Sequence, residues 1–238
     1  MSWALECFSW RLPQQGKLLI TLTIFRKTGS CVSFNTMPKH FLQEAEKARF
    51  EMFFDAILAI IITILVLEFK VPESAFASDT EIKSFLLNLG PSVFSYVVSF
   101  ATIASLWINH HDLCRKMEHA NSKFVLLNFV FILFLAPLPF TTALAGRNHQ
   151  SSFAVMLVGA NYFLMNLTFS FIWAYVISKK MIPEHELNAK YQKRNAKISM
   201  IAAIFLLISI PAAFINTYIS FAIFIIVLVL HIGKEFFY

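Results

Sequence analysis

Long apolar blocks constrain this chain more than anything else in it. From residue 50 onward they follow one another with short polar breaks, over residues 50–69, 85–109, 124–144, 153–178 and 198–232. A helix crossing the hydrocarbon of a bilayer needs about 20 such residues. The last block, about 35 residues long, exceeds one crossing at 1.5 Å rise per residue. Pro211 and the polar pair Asn216–Thr217 mark a break, so it reads as a hairpin of two spans, 198–215 and 218–233. The expectation is an all-α integral membrane protein, a six-helix bundle. Composition agrees: 58% of residues are hydrophobic and 14% are charged, where a soluble domain carries about a quarter charged. Residues 17–25 are too short to span, no internal repeat stands out, and no region is polar enough for a separate soluble domain.

Lys and Arg are retained on the cytoplasmic side of membrane proteins. With the N-terminus inside, seventeen of the twenty fall on inside segments, and Lys70, Lys83 and Arg147 fall outside. That asymmetry supports six spans with both termini cytoplasmic, in a multi-pass protein of the cell (plasma) membrane. It also accounts for the net charge of +6 as topology anchors, which removes the reason to expect a nucleic-acid partner. Membrane lipid is the implied surrounding.

Residues 1–47 read as a cytoplasmic N-terminal extension and 48–238 as the membrane domain. The first residues lack a basic start followed by an apolar core, so they make a poor secretory signal. They show neither helical periodicity nor a clear strand. Two readings stand for the part before Met37: a flexible, disordered tail, or a non-native extension with translation starting at Met37. Cys7, Cys31 and Cys114 all fall on the inside, and an odd count in a reducing compartment implies no disulfide framework.

Few residues have the means for chemistry. Asp55 lies six residues inside Arg49 in the first span; an ionisable group at that depth is a functional candidate or a helix-packing hydrogen-bond partner. At about 100° per residue, Phe53, Ala56, Ile60, Thr63, Ile64 and Leu67 share one stripe, and Asp55 points more than a right angle away. Asp55 is therefore expected to face its own bundle, and the stripe to face something else or, more plainly, lipid. Trp107, Asn109, His110, His111 and Asn128 should lie at the depth of Asp55 and offer indole, amide and imidazole donors to it. His110, His111 and Cys114 lack a second cluster at zinc spacing, so no metal is expected. No Gly-rich phosphate loop, nucleophile elbow or carboxylate pair appears, so no enzyme activity is expected.

The run RFEMFFDAILAIIITILVLEFKVPE, residues 49–73, resembles the first helix of the transmembrane protein 175 family of potassium channels. Arg49, Phe53, Asp55, Ala56, Thr63, Leu67 and Glu68 match the family spacing. SFATIASLWINHH (99–111) is similar to its Ser-Phe…Trp…His end of helix two, and LLNFVFILFLAPLPFTTAL (126–144) to its Asn…Pro-Phe-Thr helix three. The likeness extends over about residues 45–180, and over the last two helices by hydropathy alone. Phe54 departs from the pattern: the family usually has Ser or Thr there, so any hydrogen bond made by that hydroxyl is lost.

The resemblance implies a homotetramer around helix one, with no carbonyl filter of the Thr-Val-Gly-Tyr-Gly kind. It implies a leak-type, potassium-permeable cation channel without a cofactor, potassium being the permeant ion. The constriction would be made by Ile60, Thr63 and Leu67, with Ile64 beside them. Apolar rings hinder wetting of a pore, and a ring of hydroxyls replaces part of an ion's hydration. Arg49, Phe53, Asp55, Trp107, His110 and Asn128 would form a structural or gating network on helix one. A secondary transporter or a non-conducting membrane assembly protein are the alternatives; the broken helices or inverted repeat usual in transporters are not evident.

Overall fold

The computed structural model describes residues 23–25, 31–33, 39–183 and 189–236. Two compact units divide it, Met1–Ala48 and Arg49–Tyr238, and the helix α1, Lys39–Leu67, runs across their boundary. In the first unit, β1 (Thr23–Phe25) pairs antiparallel with β2 (Cys31–Ser33), with Ile24 opposite Val32. The sequence reading assigned no strand to this stretch. Three-residue strands are too short to display an alternating pattern, although β-branched Thr23, Ile24 and Val32 favour them. The rest of the segment before Met37, and Cys7 with it, lies outside the described residues.

Among the described residues of the second unit, all regular elements are helices. After α1 come α2 (Asp79–Asn88), α3 (Gly90–Lys116), α4 (Ser122–Leu135), α5 (Leu138–Arg147), α6 (Ser152–Ser178), α7 (Ala189–Ile215) and α8 (Thr217–Phe236). Caps explain the starts. The Ser78 hydroxyl accepts from Glu81 N, and Glu81 Oε2 accepts from Ala77 N at 2.8 Å, which satisfies two amide groups that open α2. Asn121 Oδ1 accepts from Phe124 N at 2.9 Å to open α4.

Prolines redraw two boundaries. The second apolar block begins as a span at Gly90 rather than Phe85, because Pro91 lacks an amide hydrogen and suits the first turn of a new helix. It then continues past Asn109 to Lys116. The third block is broken into α4 and α5 around Pro137. There the Phe134 carbonyl accepts from Asn161 Nδ2 of α6 at 2.7 Å, so a backbone group loosened at the break is still satisfied inside the bundle. The expected hairpin in the last block is present: α7 ends at Ile215, and Asn216 Oδ1 accepts from Tyr218 N as α8 begins.

Among the described residues, five segments are long and apolar enough to cross a membrane: Glu46–Leu67, Gly90–Lys116, Ser122–Arg147, Ser152–Ser178 and Lys197–Ile215. Thr217–Gly233 is apolar but shorter. Helix α6 is central, packing against α4, α5, α7 and α8, while α3 packs against α5 and α8. Small residues set the closest approaches. A side chain at Gly159 would come within 3.0 Å of Ser209 Oγ on α7, and one at Gly146 within 2.8 Å of the Ser92 backbone on α3. Buried hydroxyls tie the centre together, with Ser99 Oγ 2.7 Å from both Thr142 Oγ1 and Tyr162 Oη.

Candidate functional site on helix α1

Large side chains set the orientation of α1. Phe50, Phe54, Leu58, Ile61 and Leu65 recur every three or four residues and are all buried, which makes them one ridge. The Phe54 ring lies on the His110 imidazole, with centroids 3.7 Å apart and planes 16° apart, and it stacks on Phe131 of α4 at 6.0 Å. Phe50 meets Phe124 edge-on at 5.5 Å. The Phe54 ring fills the space between α3 and α4. Phe54 is the anchor that the sequence reading passed over, and its spacing from Phe50, Leu58, Ile61 and Leu65 was the available signal.

Behind Phe54 runs a chain of hydrogen bonds. Asn128 Nδ2 donates to the Phe124 carbonyl at 2.9 Å, so Asn128 Oδ1 accepts from His110 Nε2 at 2.9 Å. The imidazole then carries its hydrogen on Nε2, and Nδ1 is left to accept from the Cys114 thiol at 3.7 Å. His110, Asn128 and Cys114 are all buried. Among the described residues no group of three His, Cys, Asp or Glu side chains is placed to hold a metal ion.

Asp55 points elsewhere, toward the flank of α3. It is exposed on the single chain, about 100° around the helix from the Phe54 ridge. Trp107 Nε1 donates to Asp55 Oδ1 at 2.9 Å, and the indole, itself 40% exposed, stacks on His111 at 5.5 Å. The polar residues foreseen as one network are thus two. Asp55, Trp107 and His111 lie on an open flank, while His110 and Asn128 are sealed behind Phe54. Asn109 joins neither; its amide donates to the Ser105 carbonyl. Phe53 packs on Phe129 at 5.8 Å, and Arg49 is exposed and pairs with none of these residues. Because α1 is apolar nearly all round, periodicity alone does not tell which side meets the bundle.

Ile60, Thr63, Ile64 and Leu67 occupy the remaining direction and are exposed together, Ile60 at 56% and Leu67 at 69%. The Thr63 hydroxyl donates to the Ile60 carbonyl at 2.8 Å. Its hydrogen is committed to its own helix, and the oxygen lone pairs are left facing outward. At the far end of α1, Arg147 Nη2 of α5 donates to the Glu68 carbonyl at 2.6 Å and lies 3.8 Å from Glu68 Oε2. A cation on the last carbonyls of a helix satisfies them and complements the helix dipole. The sequence reading had Arg147 as a basic residue on the outside and missed this contact.

Residues 49–139 match the family described as "Endosomal/lysosomal potassium channel TMEM175". The chain is 29% identical over 182 residues to a potassium channel of Chryseobacterium sp., covering 76% of this chain and 90% of that one. It is 28% identical over 155 residues to a potassium channel of Chamaesiphon minutus, covering 62% and 76%. Over residues 49–139 the chain is thus similar to the TMEM175 family, and more of it is similar to channels of that kind. The crystal structure of a lysosomal potassium-selective channel TMEM175 homologue from Chamaesiphon minutus superposes with a TM-score of 0.68 at 27% identity, covering 81% of this chain and 97% of that one. The matched TMEM175 segment holds the Phe54 ridge, the Asp55 flank and the open face of α1, so all three directions of the helix belong to the shared part. This is a family of ion channels rather than enzymes.

Proposed function

We propose that this chain is one subunit of a potassium-permeable, leak-type cation channel in the plasma membrane, four copies of which surround a pore lined by α1. The observation that carries the reading is the open face of α1. Ile60, Thr63, Ile64 and Leu67 are exposed together while the ridge on the other side is fully engaged. Relatives named as potassium channels support potassium as the ion. Both termini are cytoplasmic in this reading, and α8 supplies the sixth span: its 20 residues reach about 30 Å.

The chemistry divides along the stripe. Rings of Ile60 and Leu67 narrow the path and disfavour water, so ions pass one barrier of dewetting on each side of Thr63. Four Thr63 oxygens turned inward offer lone pairs in place of part of the hydration shell. Such a site favours the ion that sheds water more readily without holding it long enough to stop flow. Asp55 and Trp107 position α1 from its flank in this scheme and do not touch the ion; Arg49, Phe53, His110 and Asn128 serve the fold and gating.

Ion flux into liposomes, at matched tetramer content, tests the reading. Wild-type protein should pass potassium down its gradient with no coupled partner. Ile60→Asn should raise flux several-fold and reduce discrimination against sodium, and Thr63→Ala should lower selectivity while the apolar seals persist. Flux and selectivity unchanged in both variants would remove α1 from the pore. Flux that requires a counter-transported ion would point to a transporter, and no flux at all to an assembly protein.

A further inference from the structure

The open face of α1 is not held evenly along its length. Thr63 lies between Ile61 and Leu65, both buried in the bundle, so side-chain packing fixes it from either side. Leu65 is the last buried residue of the ridge, and Leu67, which ends the helix, is 69% exposed. A helix leaves its last four carbonyls without partners of its own. Here Phe69 N donates to the Val66 carbonyl at 3.2 Å, and the carbonyl of Glu68, the residue after Leu67, accepts from Arg147 Nη2 at 2.6 Å.

Arg147 reaches this carbonyl from a fixed base. It is the last residue of α5. Beside it, Gly146 meets the Ser92 backbone of α3 so closely that a side chain there would come within 2.8 Å. Ala145 is fully buried, and Thr142 Oγ1 lies 2.7 Å from Ser99 Oγ of α3. The guanidinium also lies 3.8 Å from Glu68 Oε2, with its own side chain 48% exposed. An ion pair that open to solvent contributes little, whereas a hydrogen bond from a charged donor is about twice as strong as a neutral one. The carbonyl, not the carboxylate, is therefore the main hold. Phe69 meets Tyr96 of α3 edge-on at 5.3 Å, which tethers the chain beyond Glu68 but leaves the carbonyls open.

We propose that Arg147 is a positioning residue for conduction: it clamps the last turn of α1 and so sets the Leu67 barrier, without touching the ion. This rests on the reading of α1 as the pore helix. Without the guanidinium the last turn frays, the Leu67 barrier loosens and flux rises. Thr63 stays where Ile61 and Leu65 hold it, so the preference for potassium over sodium is kept. A guanidinium near a cation path also repels cations through space. That effect is screened beyond about 3 Å in 1 M salt, and the clamp is not.

The test is potassium and sodium flux in liposomes at matched tetramer content, with hydrogen exchange of the full chain beside it. Arg147→Gln should raise potassium flux several-fold, in 1 M salt as well as in dilute buffer, with selectivity unchanged. Arg147→Lys keeps the charge but not the planar fork and should fall between it and wild type. Glu68→Gln keeps the carbonyl and should change flux far less than Arg147→Gln. In a Leu67→Ala background Arg147→Gln should add nothing, because two changes to one barrier do not sum. Exchange of the backbone amides of residues 66–69 should quicken in Arg147→Gln, which reads the clamp directly. Unchanged exchange there overturns the proposal whatever the flux does. So does a full further rise on top of Leu67→Ala, or a rise that vanishes in 1 M salt. Ile60→Asn and Thr63→Ala separate the two possible failures. If they alter flux and Arg147→Gln does not, the clamp role is wrong and the pore reading stands. If none of the three alters flux, α1 lines no pore and the proposal falls with that reading.

Discussion

Phe54 and Ile60 stand less than two turns apart on one helix and have opposite surroundings. The Phe54 ring is fully buried, pressed on His110 with Phe131 behind it, whereas Ile60 is more than half exposed on the single chain. Both are large and apolar, so hydrophobicity does not separate them. Position relative to α3 and α4 does. The buried ridge holds α1 to its own subunit, which leaves the opposite side available to other molecules. A helix with this division is anchored on one side and used on the other, and substitutions on the two sides should fail in different ways.

The largest effect should come from Phe54→Ala. Emptying a fully packed aromatic site costs about 3–5 kcal/mol, and the loss should appear as a lower melting temperature of purified protein. Asn128→Ala comes next. It strands the buried Nε2–H of His110, at a cost of about 1–3 kcal/mol, and His110→Phe in the same background should recover part of that loss, because a ring with no donor needs no acceptor. Trp107→Phe keeps the aromatic surface but removes the indole donor to Asp55. On a half-open flank this should cost about 1 kcal/mol and shift thermal stability by a few degrees. The smallest stability change should be that of Ile60→Asn, within about 0.5 kcal/mol for the isolated subunit, even though flux changes most there. A Phe54→Ala protein as stable as wild type, beside an Ile60→Asn protein that unfolds early, would reverse the assignment of the two sides.

The apolar blocks were legible because a membrane helix is written in plain runs of residues. Blocks one and four stand close to where they were read, and the Asn216 break was visible in its own residues. The helix starts at Gly90 and Leu138 were harder. Pro91, Pro137 and Pro139 announce a discontinuity, but whether a proline ends a span or bends it depends on which neighbour satisfies the freed backbone, here Asn161 from a helix far along the chain. The β1–β2 hairpin was illegible, since three residues carry no period.

By itself the sequence determined that the chain crosses a membrane repeatedly as helices, that Asp55 and Trp107 stand at one depth, and that Ile60, Thr63, Ile64 and Leu67 share a side of α1. Each of these follows from local chemistry: the length of an apolar run, the rise of a helix, the angle between successive residues. Only the tertiary structure decided which side of α1 faces inward, that Phe54 takes the space beside His110, that Asp55 lies on an open flank, and that Arg147 reaches the end of α1. Those outcomes depend on which distant residues arrive as neighbours. A helix apolar on nearly every side carries no local mark of where its partners lie.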